Sequence, residues 1–160
     1  MDIRQFRDLI VRPALQQINY YSLEAEQLVL ATAMAESKLH YIHQVGGGPA
    51  RSFFQIEPAT HDDIWASFIP RKMLLLNDLK PLIMPNMDYL DQLHGNHFYA
   101  AAMCRIFYLR IREPLPAAYD WRGMARYWKK YYNTRLGKGT VEGFLTKAEP
   151  VMALYYPRSA

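Results

Sequence analysis

Between Ser22 and Glu36 the chain spells out a helix with no polar side. Ser22 suits the N-cap, and Glu24 and Glu26 suit the positive end of the helix that follows. Leu28, Val29, Leu30, Ala31, Ala33, Met34 and Ala35 then point in nearly every direction, so the helix is predicted to be buried. It meets its next charge at Glu36. Burying it takes a real core. A chain of 160 residues, 51% apolar and 14% aromatic, can supply one, because a domain of about 150 residues buries roughly 70% of the surface its unfolded form exposes. A single domain over 1–160 is expected. That leaves no room for a two-domain cofactor enzyme, and no cofactor is expected. The one cysteine, Cys104, excludes an internal disulfide framework and a Cys-cluster zinc site. It lies in an apolar stretch and is expected to be a buried small hydrophobe.

Most of the remaining chain also reads as helix. Ile3, Phe6, Ile10, Ala14 and Ile18 recur at helical spacing, with Pro13 expected to kink or divide the segment. Residues 96–112, 121–132 and 140–155 are three further helices, and Pro114 and Pro116 end the first of them. Residues 70–95 hold Pro70, Pro81, Pro85 and Gly95, so short helices or irregular chain are expected there. Gly46-Gly47-Gly48-Pro49 is a loop, and Phe53-Phe54-Gln55-Ile56 is the best strand candidate. Pro58 suits a first helical turn, and Thr60 with Asp63 has capping-box form. The class is mainly α, with a small β-hairpin or loop lobe near residues 44–57. The N-terminus mixes charges and lacks an apolar run behind a basic head, so no signal peptide is expected, and no apolar window is long enough to span a membrane.

Glu36 is the candidate for chemistry. A carboxyl at the buried C-terminal end of a helix holds its proton for three reasons. Burial disfavours the anion, the negative helix end disfavours it further, and no base within the preceding turn offers relief. A carboxylic acid kept neutral near pH 7 is what a general acid for glycosidic cleavage requires.

Ala35-Glu36-Ser37, followed by Gly48-Pro49-Ala50-Arg51-Ser52-Phe53-Phe54-Gln55-Ile56-Glu57-Pro58-Ala59-Thr60, resembles the soluble lytic transglycosylase and goose-type lysozyme family. There a Glu-Ser pair ends a helix and a Gly-x-x-Gln-Ile/Val-x-Pro-x-Thr segment follows. The family's late Tyr-Asn pair has its counterpart in Tyr132-Asn133, and the likeness covers about residues 22–156. It implies a lysozyme-like (α+β) fold with Glu36 as the catalytic acid/base. It implies that Ser37 fixes the acid's surroundings and, with Gln55, Tyr132 and Asn133, makes up the substrate-binding set, Gln55 hydrogen-bonding sugar. The implied substrate is the glycan strand of peptidoglycan. Two departures stand out. Ser52 replaces the family's Gly and would be strained if that backbone needs positive φ. The Gly that closely follows the Tyr-Asn pair is delayed to Gly137.

A second carboxylate decides the reaction. A hydrolase of the inverting kind needs a base about 6.5–9.5 Å from the acid, and a retaining one about 5–5.5 Å. Glu57, Asp62 and Asp63 are the candidates. Period-2 alternation would put Glu57 on the face of Gln55, and Asp63 is read first as the capping partner of Thr60. Lytic transglycosylases need no second carboxylate, because the substrate's own C6 hydroxyl attacks. The chain resembles that group more closely, so non-hydrolytic cleavage of the MurNAc–GlcNAc bond is favoured, with hydrolysis as the alternative. A third reading is a non-catalytic virion or peptidoglycan-binding module with the same fold.

His40 and His43, like His94 and His97, are three apart, so each pair would share a face if helical; without a third ligand no metal site is expected. Six cations fall within residues 122–138 with no acid among them, interleaved with Tyr127, Trp128, Tyr131 and Tyr132. Such a run suits nucleic acid or an anionic wall polymer alike. Nucleic acid would explain the charge but not the Glu36 to Gln55 pattern. A wall-cleaving enzyme without a signal peptide must be carried or released to its substrate. The expected setting is therefore a phage virion, or a host cytoplasm with delivery to the periplasm and cell wall, with other virion or lysis proteins as partners.

Overall fold

The computed structural model describes residues 1–157. Helix α1 is Ile3–Phe6, α2 Arg12–Gln17, α3 Leu23–Ser37, α4 Pro58–Asp63 and α5 Met73–Leu79. Helix α6 is Gln92–Gly95, α7 His97–Leu109, α8 Trp121–Trp128 and α9 Val141–Tyr155. Helix α3 starts where the Ser22 hydroxyl accepts the Ala25 amide, and between Ala25 and Ala35 every residue is buried. It packs chiefly on α9 and also on α7, α8 and the segment before α2. In α7, Ala100, Ala101 and Ala102 are all buried. None of the described helices is long and apolar enough to cross a membrane.

Pro13 acts as its chemistry requires. It sits in the first turn of α2, directly after a π-helical turn, Arg7–Val11, that separates α1 from α2, so the helix is divided where the ring lacks an N–H to continue the ladder. Asn96, Asp120 and Thr140 cap α7, α8 and α9 with side-chain oxygens. Residues 64–95 are short helical pieces, tied down where Gln92 bonds the backbone of Met84 and Met87. Cys104 is fully buried.

Two buried polar groups inside α3, Glu26 and Thr32, are answered from elsewhere. Arg12 donates twice to the fully buried Glu26, through Nε to Oε2 at 2.7 Å and through a terminal nitrogen to Oε1 at 3.0 Å, and the Tyr156 hydroxyl donates to Oε1 as well. Thr32 shares a 2.8 Å hydrogen bond with the Tyr108 hydroxyl.

The expected strand at Phe53-Phe54-Gln55-Ile56 is a turn. Arg51 and Ile56 exchange both backbone hydrogen bonds, and Ser52 and Gln55 lie in the left-handed region at φ 68° and 50°. This reversal sends both Phe53 and Phe54 into the core against Phe6, whereas a strand would have placed them on opposite faces. Among the described residues the β content reduces to two isolated bridges, His43 with Arg51 and Arg51 with Ile56. The mainly α class stands, and among the described residues the 44–57 lobe is loop and turn joined by these bridges, the loop form of the expectation and not the hairpin.

Candidate active site

Helix α3 ends in a way that presents Glu36. Lys38 and Leu39 both take left-handed backbone, φ 52° and 58°, which turns the chain sharply away. Ser37 holds this end together. Its buried hydroxyl donates to Phe53 O at 2.7 Å and accepts the Leu39 amide at 3.2 Å, which fastens the helix terminus to the 52–55 turn. Glu36 is left half-buried, facing a cleft of about 720 Å³.

Two groups from the last third of the chain reach it. The indole Nε1 of Trp128 donates to Glu36 Oε1 at 2.8 Å. Lys147 donates to the carbonyl of Ala35 at 2.8 Å, so a cation sits at the negative end of α3. Burial pushes the Glu36 carboxyl up to about 7, against the Trp128 bond and the Lys147 charge, which favour the anion. The expectation that no base within the preceding turn relieves Glu36 holds. Lys147 supplies relief from α9.

Gln55, Glu57, Tyr132 and Asn133 line the same cleft as Glu36. Glu57 and Gln55 reach it from a turn and a helix start, not by strand alternation. The amide nitrogen of Gln55 is committed to Ser52 O at 2.8 Å. The Tyr132 hydroxyl donates to Phe54 O at 2.7 Å, and its ring stacks on Tyr108, so it braces the 52–55 turn from below. Asn133 Oδ1 accepts from Lys129 at 2.7 Å.

Three of the sequence candidates fall elsewhere. Ser37 is buried and does not line the cleft; its contacts fasten the end of α3 to the 52–55 turn. Asp62 is exposed beside His61, and Asp63 is exposed and ion-paired to Arg110 at 2.6 Å. Asp63 does not cap Thr60, because α4 begins one residue after Glu57, without a side-chain cap. Neither aspartate lines the cleft.

The histidines do not pair along a helix. His43 Nδ1 and His94 Nε2 share an exposed hydrogen bond of 3.0 Å, and among the described residues no group of three His, Cys, Asp or Glu is placed to hold a metal. Nor is the cationic run a uniform face. Glu142 pairs with Arg122, Glu113 pairs with Lys130, and Lys129 folds back on Asn133 and Gly137. Of its cations, Lys138 lines the cleft.

The cleft wall after Asn133 is strained. Thr134 lies at φ 62° and ψ 176°, a region that glycine alone enters readily. Thr134→Gly is expected to raise stability by about 1 kcal/mol after the entropic cost of glycine, read as an increase in thermal midpoint. A lower midpoint would show that the Thr134 side chain outweighs its backbone strain.

No family model, curated protein or solved structure matches this chain.

Proposed function

We propose that the chain cleaves the β-1,4 bond between MurNAc and GlcNAc in peptidoglycan, as a lytic transglycosylase with Glu36 as the one acid and base. The observation that carries this reading is a carboxyl at a helix end, held up to about 7 by burial, that opens into a cleft of about 720 Å³. Protonated Glu36 gives its proton to the glycosidic oxygen as the bond from that oxygen to C1 breaks, and the bonding pair leaves with the oxygen. The C6 hydroxyl of the same sugar then attacks C1, its proton passes to Glu36, and the acid is restored. Gln55 and Asn133 line the groove as hydrogen-bonding partners for sugar.

Hydrolysis is the second reading, favoured by one observation: Glu57, unlike Asp62 and Asp63, shares the cleft. Clearing of gel-embedded peptidoglycan, followed by mass spectrometry of the fragments, separates the two. Fragments ending in 1,6-anhydro sugar mark transglycosylation, and reducing ends mark hydrolysis through Glu57. Because the acid must carry its proton, clearing is expected to fall as pH rises through about 7. A rate that climbs steadily to pH 9 would remove Glu36 from the role of acid. Delivery to the wall by a virion or by lysis proteins belongs to the same proposal.

A further inference from the structure

Glu36 is a carboxyl with two chemically distinct oxygens. Oε1 receives the Trp128 indole. Indole N–H is a donor only, with no lone pair to offer a carboxylic proton. A carbonyl oxygen accepts from an N–H more strongly than a hydroxyl oxygen does, so the indole favours the protonated form that leaves Oε1 as the carbonyl. Oε2 has no hydrogen-bond partner among the described residues and is not a sealed, unsatisfied atom, and Glu36 lines the cleft. We propose that Trp128 is a positioning residue that fixes Oε2 as the oxygen carrying the proton and aims that proton into the cleft. As a step in cleavage, this rests on the glycosidase reading of the site.

The indole is well held for such a task. Trp128 is 3% exposed, and its ring packs on Phe144 at 5.1 Å. Gly139 passes so close that a Cβ there would lie 2.5 Å from the far edge of the indole. The absence of a side chain at Gly139 is therefore what lets the ring reach Glu36. The other groups around the acid do not compete for its oxygens. Lys147 of α9 is spent on Ala35 O. Cys104 and Tyr108 of α7, and Tyr132 beyond α8, lie within electrostatic range and are held neutral by burial, which pushes all three well above their usual values. Trp128 is thus the donor that tells the two oxygens apart.

The test uses the whole chain and two variants, Trp128→Phe and Gly139→Ala, the second displacing the indole without deleting it. The first readout is the infrared carbonyl stretch of protonated Glu36 at pH 5, assigned by difference against Glu36→Gln. The second is the titration midpoint of the Glu36 carboxyl carbon by NMR. In wild type the stretch is expected at the low frequency of a hydrogen-bonded carbonyl. In Trp128→Phe it is expected to move up, and the midpoint to rise by about one pH unit or more as the anion loses a donor. Gly139→Ala is expected to move both in the same direction by less. A stretch and a midpoint that stay in place in Trp128→Phe would overturn the assignment. Neither readout needs turnover. An inactive wild type whose band still shifts would sink the peptidoglycan reading and support the role of Trp128, and an active wild type with an unmoved band would do the reverse.

Discussion

Glu36→Gln is expected to abolish wall clearing, by at least about a hundredfold, and at the same time to make the protein more stable at pH 8. The second effect follows from the first assignment. The folded carboxyl titrates at about 7 and an ordinary one at 4.5. Below pH 4.5 both the folded and unfolded forms are neutral, and burial of the group costs little. Between 4.5 and 7 the unfolded chain has lost its proton while the folded one keeps it, so stability falls as pH rises. Above 7 the full penalty of a buried anion is present, roughly 3 kcal/mol by the size of the displacement. Gln carries no such anion and can still accept from Trp128. Urea denaturation at pH 8 is expected to favour the variant by that amount, and at pH 4 to show no difference. Equal gains at both pH values would mean that the charge of Glu36 is not the cause.

The second large effect lies far from the cleft. Arg12→Ala is expected to cost about 3 kcal/mol or more, because it strands Glu26, which is fully buried and receives two of its hydrogen bonds from that guanidinium. Replacing the group as a unit, Arg12→Met with Glu26→Leu and Tyr156→Phe, is expected to recover most of the loss, since an apolar set has no charge to desolvate. Urea midpoints at pH 7 for the single and triple variants measure both. A single variant within about 0.5 kcal/mol of wild type would mean that water or Tyr156 satisfies Glu26 unaided.

The parts of this fold that were legible in the sequence are those written in near neighbours. The Ser22 cap, the all-round apolar α3, the Pro13 division and the three later helices depend on spacings of four residues or fewer. The turn at Ser52–Gln55 was not legible. Four residues led by Phe53 and Phe54 satisfy a strand pattern as well as a buried turn; the family's glycine at the place of Ser52 pointed to the positive φ found there, but nothing announces it at Gln55. Asp63 was misread for the opposite reason. A plausible partner stood three residues away at Thr60, whereas the real one, Arg110, stands 47 residues away. Glu36 could be picked out because its burial is a property of its own helix. Trp128 and Lys147, which oppose that burial, lie 92 and more than 100 residues further on and carry no local signal. The acidless cationic run was real, but its counter-charges at Glu113 and Glu142 come from just outside it.

The distance along the chain between Glu36 and its two tuning groups has a consequence for timing. A ribosome makes α3 well before α9, and α3 packs on α9 more than on any other described helix. A nascent chain that has emerged only to about residue 120 exposes the α3 face that α9 will cover. It carries Glu36 as an ordinary carboxylate, with neither the indole nor the cleft in place. Glu36 thus acquires its partnered setting only after α8 and α9 have joined α3, long after its own helix is made.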